Sequence, residues 1–286
     1  SLLMIIKKIL SFAASIISLL IIQLLFLVNS NSEENNSKYF SDDKGILSLM
    51  YHRFNENKYP STNIKMNIFH NQMQIIKNFK YEFYDPKFLI EEFEKQKDNK
   101  KILITIDDGF KSFYNEAWPY LKKKKIPFIL FISTEPVGKS GYMNWDEIKE
   151  IDNSEFGYIG HHSHTHEYLI DMSEEDFIND IKTATKIFNS KLGYTPSIFS
   201  YPFGEYSLYM KKYISDNFKV AFGQHSGVID INKDKFELPR FPINEKYGEI
   251  KRFKSLINYN PLEYKSLKPE EKKLNSKNNP PKLTIE

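Results

Sequence analysis

Two stretches of this 286-residue chain crowd together groups that can hold a cation or move a proton. The first is Ile102-Leu103-Ile104-Thr105-Ile106-Asp107-Asp108-Gly109, an apolar and β-branched run that ends in adjacent carboxylates. Such a run reads as a strand buried on both faces of a parallel sheet, and α/β folds place their active sites at the ends of such strands. Neighbouring carboxylates there repel each other and resist desolvation, so the pair persists where a cation or a proton-transfer task compensates it. The second is Gly160-His161-His162-Ser163-His164-Thr165-His166, which holds four of the seven histidines. Spaced i, i+4, His162 and His166 would share one face of a helical turn. With one carboxylate from the Asp107/Asp108 pair they offer two nitrogens and an oxygen to a divalent ion. Positions are left for water and substrate, as in a catalytic rather than a closed structural site. A third stretch, Phe199-Ser200-Tyr201-Pro202-Phe203-Gly204, is an aromatic, proline-containing turn that can aim a backbone N–H at a developing oxyanion. Taken alone, it reads better as a plain loop.

The elements that must position these groups alternate. Strand-like runs fall at Ile46 to Met50, Ile102 to Ile106, Pro127 to Ile132, Phe156 to Gly160, Ser197 to Ser200, Lys219 to Phe222 and Phe236 to Phe241. Helical patterns fall at Ile68 to Phe79, Pro86 to Lys97, Ser112 to Lys125, Trp145 to Ile151, Ser173 to Leu192, Ser207 to Asn217 and Gly248 to Ile257. This repetition predicts parallel β/α units and a distorted or incomplete (β/α)7-type barrel forming a single catalytic domain over residues 45–258. Ser173 with Asp176, and Gly193 beyond Leu192, punctuate the longest helix as cap and stop. With 41% hydrophobic residues the chain can bury a full core. A balance of 40 basic against 37 acidic residues gives no surface for a polyanion, so nucleic acid is not expected as a partner. Cysteine is absent, so a metal must be held by His, Asp or Glu. A monomer is expected.

Before the domain, Lys7-Lys8 precede about twenty uncharged residues from Ile9 to Val28, followed by Asn29-Ser30. Residues 1–30 therefore read as a signal peptide or signal anchor, with the membrane as a partner if the segment is uncleaved, and either reading exports the remainder. Residues 31–44 read as a polar spacer and 259–286 as a polar tail, loosely packed or disordered.

Thr105-Ile106-Asp107-Asp108-Gly109, then His162 and His166 in an H-[ST]-x-x-H pattern, then Tyr201-Pro202-Phe203-Gly204, resemble in order and interval the polysaccharide deacetylase family, carbohydrate esterase family 4 or NodB-homology domain. The resemblance covers roughly residues 46–257 and implies a distorted (β/α) barrel that removes acetyl groups from N-acetylhexosamine polymers. It implies a divalent ion, Zn²⁺ first with Co²⁺, Ni²⁺ or Fe²⁺ as alternatives, held by Asp108, His162 and His166. Asp107 would be the general base, and the Phe203 N–H would line the oxyanion hole. Many members carry Arg where Ser200 stands, and Arg240 in Leu238-Pro239-Arg240-Phe241-Pro242 is the candidate replacement. The usual late Leu-x-x-His motif is also missing, with only His225 after Phe222, whereas Tyr51-His52-Arg53 ends the first strand. Both departures fit the permuted subgroup that deacetylates poly-β-1,6-N-acetylglucosamine, with His52 as the acid.

His161 stands where the family often has Asn and would support the ligands from behind, while His70, His164 and His225 would be non-ligands. Among the aromatic residues Tyr142, Trp145, Tyr201, Phe203 and Tyr206 near the expected mouth, Trp145 and Tyr201 are candidate sugar-stacking residues. Export suits poly-N-acetylglucosamine, peptidoglycan or another glycan as substrate. A non-catalytic glycan-binding relative is a lesser alternative, and an iron oxygenase fits poorly because Asp108 precedes both histidines by more than fifty residues.

Overall fold

Uninterrupted apolar runs set the architecture: Phe128-Ile129-Leu130-Phe131-Ile132 is buried at all five positions. A strand without a polar face needs cover on both sides, and here one side is the barrel interior and the other a ring of helices. The computed structural model describes residues 44–91, 93, 99–273 and 280–286. The predicted signal segment and most of the spacer lie outside the described residues, as do Glu92 and residues 94–97 of the helix expected over Pro86 to Lys97. Among the described residues no helix is long and apolar enough to cross a membrane.

The strands in chain order are β1 (Ile46–Tyr51), β2 (Arg53–Phe54), β3 (Asn63–Ile64), β4 (Glu82–Phe83), β5 (Lys101–Ile106), β6 (Phe128–Ile132), β7 (Gly157–His161), β8 (Ile198–Ser200), β9 (Val220–Phe222) and β10 (Phe241–Pro242). The main sheet runs β10-β1-β5-β6-β7-β8-β9, and β4 joins the first two residues of β5. Every pairing in this sheet is parallel. Beyond β9, only a bridge between Phe222 and Leu238 leads toward β10. The result is an open, incomplete barrel with helices outside, the fold class predicted.

Register then decides which side chains meet. Tyr51 pairs with Ile106, and the Asp107 N–H donates to the Tyr51 carbonyl at 2.9 Å, so His52 and Asp107 leave neighbouring strands at one level. Ile132 pairs with His161 and His161 with Phe199, which brings His162 and the turn after Ser200 to the same rim.

Four local features differ from the sequence reading. The last strand is shorter than Phe236 to Phe241 because Leu238 makes one bridge and Pro239, lacking an N–H, cannot extend the ladder. The helix after Ser112 begins as a π-turn over Phe113–Ala117 and becomes α-helical at Trp118–Lys124, with Pro119 at the junction unable to donate a helical hydrogen bond. The Trp145–Asp152 helix carries a capping box unnoticed in the sequence, Asn144 Oδ1 accepting from the Glu147 N–H and Glu147 Oε2 from the Asn144 N–H. The tail, where described, touches the domain: Glu271 accepts from the Leu208 N–H, and Lys273 Nζ donates to the Ile170 carbonyl at 2.7 Å.

The interior beneath the rim is tightly filled. A Cβ on Gly160 would fall 2.3 Å from Phe131 Cδ1, a distance no packed pair adopts. Gly160→Ala should therefore lower unfolding free energy by about 1–3 kcal/mol, seen as a reduced denaturation midpoint at unchanged m-value.

Candidate active site

At the end of β5 the backbone turns through two left-handed residues, Asp108 (φ 74°) and Gly109 (φ 71°). The two adjacent carboxylates consequently face different partners. Asp107, fully buried, meets Arg240 in a two-point pair: Nη1 to Oδ1 is 2.7 Å and Nη2 to Oδ2 is 2.9 Å. The same guanidinium donates to Thr105 Oγ1 at 3.2 Å, Ser200 Oγ at 2.9 Å and the Gly223 carbonyl at 2.9 Å. All five of its N–H donors are thereby used. Burial pushes the Asp107 pKa up, but the Arg240 charge outweighs burial and holds it below the usual carboxylate range.

Asp108 turns instead to the imidazoles. Its Oδ1 lies 3.0 Å from His166 Nε2 and 3.4 Å from His162 Nε2, and the three ligand atoms lie within 4.8 Å of one another. His162 Nδ1 donates to the Ser200 carbonyl at 2.8 Å, which fixes the tautomer and leaves the Nε2 lone pair directed inward. Asp108 Oδ1 and His162 Nε2 are buried with no hydrogen-bond partner among the described residues. Orphaned buried acceptors converging on one point are what a divalent ion would satisfy, so the residues fit the metal that the sequence implies. Burial raises the Asp108 pKa, but the adjacent imidazoles of His162 and His166 hold it well below the ordinary value.

The two histidines do not share a helical turn. Residues 162–166 form a loop in which Ser163 (φ 72°) and His166 (φ 58°) are left-handed, and the i, i+4 spacing works because the loop doubles back. Its supports are specific. Ser163 Oγ accepts from the His166 N–H, and His161 Nδ1 accepts from the Ser163 N–H, both at 3.1 Å. Asp180 accepts from the His164 N–H at 2.7 Å, the Thr165 N–H at 3.1 Å and the Thr165 hydroxyl at 2.7 Å. Asp180 escaped the sequence reading. Its one signal was a carboxylate on the buried face of the helix Glu174–Leu192.

His161 is fully buried among Phe188, Phe199 and Phe218, and burial lowers its pKa to about 3. It is a neutral support behind the ligands. His52 is half-buried beside the cluster and outside the ion-sized triangle. Burial lowers its pKa, while the charges of Asp108 and Asp107 act the other way. Phe203, left-handed at φ 58°, lays its ring on Tyr168 at 4.0 Å and edge-on to His166 at 4.9 Å.

Two aromatic expectations fare differently from these. Tyr201 is fully buried, stacked on Tyr206 at 4.5 Å and edge-on to Phe199, so it cannot offer a face to a sugar and is corrected to a core residue. Trp145 is half-buried with its ring edge-on to Phe188 at 5.9 Å, in the packing behind His161.

These geometries predict that Asp108→Asn or His162→Gln removes stoichiometric zinc in elemental analysis. Asp180→Ala should keep the ligands but loosen the loop, weakening metal affinity about 10- to 100-fold in a competition titration.

Comparison with known proteins follows the same residues. The polysaccharide deacetylase family profile matches residues 94–218, a span that holds Asp107, Asp108, His162, His166 and Phe203 but neither His52 nor Arg240. The poly-beta-1,6-N-acetyl-D-glucosamine N-deacetylase of Staphylococcus epidermidis is 25% identical over 251 residues, covering 76% of this chain and 85% of that protein. Its Staphylococcus aureus (strain MSSA476) counterpart is 26% identical over 259 residues, covering 78% and 88%. A match to YxkH of Bacillus subtilis, 25% identical, spans 63% of that protein's length. Among solved structures, Streptococcus pyogenes deacetylase PplD in complex with acetate superposes with a TM-score of 0.67 at 20% identity, covering 75% of this chain and 99% of that one. IcaB from Ammonifex degensii gives 0.63 at 22% identity, covering 75% and 97%. Those two share the fold. The profile lies over the paired carboxylates and the histidine loop, and residues 94–218 therefore match a polysaccharide deacetylase domain.

Proposed function

We propose that this protein hydrolyses the acetamide of N-acetylglucosamine units in an exported polysaccharide, with poly-β-1,6-N-acetylglucosamine as the preferred polymer. The observation that carries the reading is the convergence of Asp108, His162 and His166 beside an aspartate held ionised by a buried arginine. Preference for the β-1,6 polymer is supported by relatives of that name and by Arg240 occupying the neighbourhood of Ser200, as the permuted subgroup would require.

Asp108, His162 and His166 would hold a divalent ion, which would supply Lewis acidity toward an acetyl carbonyl and a water near neutral pH. Asp107 takes the proton of the attacking water at a carboxylate oxygen, and Arg240 keeps that carboxylate ionised and correctly turned. The Phe203 N–H is the proposed donor to the oxyanion. His52 returns a proton to the departing sugar nitrogen. His52 would carry that proton from the start, charged when substrate binds, a form that burial opposes and the Asp108 and Asp107 charges favour. Export rests on the apolar run Ile9 to Val28.

The test is acetate release by zinc-loaded protein from β-1,6- and β-1,4-linked N-acetylglucosamine oligomers and from peptidoglycan. The β-1,6 series should turn over fastest, chelation should abolish release, and metal should restore it. Failure to release acetate from any of the three would overturn the reading.

Within that assay, Asp107→Asn should retain zinc yet lose on the order of 10²-fold or more in rate. His52→Ala should lose turnover and His225→Ala should keep it. The reverse result would return the acid to the later position.

A further inference from the structure

The turn that presents the Phe203 N–H is held from two sides by groups that the metal site does not use. Gly204 closes it, its N–H donating to the Tyr201 carbonyl at 2.9 Å, while the Tyr201 N–H donates to the Phe222 carbonyl at 3.0 Å. Phe203 and Gly204 are both left-handed, at φ 58° and 71°. Among the described residues the Phe203 N–H has no hydrogen-bond partner. A phenylalanine keeps such a backbone only where its neighbours over-determine it.

On one side, a Cβ on Gly204 would fall 2.5 Å from Gln224 Cβ and 2.6 Å from the Gln224 nitrogen, so the turn rests directly on the segment after β9. On the other, the buried Tyr201 ring stacks on that of Tyr206 at 4.5 Å with 29° between their planes. Tyr206 is pinned in turn. Its hydroxyl donates to Glu237 Oε2 at 2.9 Å, and the same oxygen accepts from Lys211 Nζ at 3.3 Å, which also reaches Asp234 Oδ2 at 2.8 Å. The Tyr201 hydroxyl, although buried, has no hydrogen-bond partner among the described residues. Tyr201 is therefore placed by its ring and its backbone, and the polar anchor of the stacked pair is the Tyr206 hydroxyl.

Glu237 ties this anchor to the rest of the site. It lies three residues before Arg240 on the segment that crosses from β9 to β10, where the Leu238 N–H donates to the Ala221 carbonyl and the Gly223 N–H to the Leu238 carbonyl, both at 2.9 Å. The same short stretch thus reaches Asp107 through Arg240 and the Phe203 turn through Glu237 and Tyr206.

We propose that Tyr206 is a positioning residue for the proposed oxyanion donor: its hydroxyl, bonded to Glu237, fixes the ring on which Tyr201 stacks and so the direction in which the Phe203 N–H points. What that N–H does in turnover rests on the deacetylase reading given above, whereas the clamp on the turn does not.

The test pairs steady-state acetate release from a β-1,6-linked N-acetylglucosamine pentasaccharide with amide hydrogen exchange at Gly204, read by nuclear magnetic resonance on the zinc-loaded full chain. Tyr206→Phe should lower kcat about tenfold with KM within about twofold of wild type, short of the roughly 10²–10³ lost when such a donor is removed outright. It should also speed Gly204 exchange about tenfold or more without a comparable rise in β6, the signature of a local rather than a global opening. Glu237→Ala should reproduce both effects, and Glu237→Gln, which keeps an oxygen for the hydroxyl, should recover most of each. Tyr201→Phe, which deletes the unpartnered hydroxyl, should leave Gly204 exchange as in wild type. If Tyr206→Phe fails to fold, Glu237→Ala carries the test alone, since that side chain is partly exposed. Wild-type exchange at Gly204, or a wild-type kcat, in folded Tyr206→Phe and Glu237→Ala would overturn the proposal. Acetate release by wild type reports on the deacetylase reading alone: if there is none, that reading falls and Gly204 exchange still decides the clamp.

Discussion

A guanidinium and a carboxylate with no exposure to water hold this site together. Arg240 and Asp107 are both fully buried, and removing two charges from solvent costs several kcal/mol per ion unless geometry and added hydrogen bonds offset it. The offset here is complete on the cationic side, since Thr105, Ser200 and Gly223 take the donors that Asp107 leaves. Those partners come from β5, the end of β8 and the segment after β9. The pair therefore ties together elements that the sheet itself leaves open, between β9 and β10. Losing either partner would strand the other charge in an apolar interior, a loss of about 3–5 kcal/mol. Stability and the ionisation of Asp107 are consequently one property.

Around that pair the chain accepts backbone conformations it would otherwise avoid. Asp108, Ser163, His166 and Phe203 are all left-handed, and each lies in one of the three stretches that the sequence marks as chemical. Non-glycine residues in that region cost of order 1–3 kcal/mol each and persist where neighbours over-determine them. For the histidine loop the neighbours are Asp180, His161, Ser163 and Thr134, whose N–H donates to the Ser163 carbonyl at 3.3 Å while its hydroxyl meets His164 Nδ1 at 2.8 Å. The fold thus stores strain at the rim and anchors it on helix and strand. The atoms of Asp108, His162 and His166 are thereby held in place in advance, as pre-organisation of a site requires.

What the sequence disclosed follows from how local each signal was. Buried strands announce themselves by continuous apolar runs, so β1, β5, β6 and β7 lie within a residue of their expected bounds. The convergence of Asp108, His162 and His166 was legible in outline from their types and order. The path between His162 and His166 was not, because spacing alone cannot distinguish a helical turn from a loop with two left-handed residues. Tyr201 was misjudged for a related reason: proximity to a motif says nothing about which way a ring points, and this one turns into the core against Tyr206 and Phe199. Asp180 acts through three hydrogen bonds to a loop some fifteen residues earlier in the chain, a relation invisible until the helix is docked.

Arg240 reaches Asp107 past the small Ser200 at the end of β8. The constraint on the pair is spatial: a planar two-point donor must reach both oxygens of Asp107 from below the rim. A side chain arriving from the segment after β9 meets that constraint only if the position at the end of β8 is small, and Ser200 is small and accepts one of the guanidinium's hydrogen bonds. The rings of Phe131 and Phe222 lie 5.4 and 5.7 Å from the guanidinium carbon, within the range where an aromatic face attracts a cation. Lysine could supply the charge but neither the fork nor the flat stacking. Ser200, Arg240 and the two phenylalanines therefore make sense only as a set, and a substitution at one alters what the others can do.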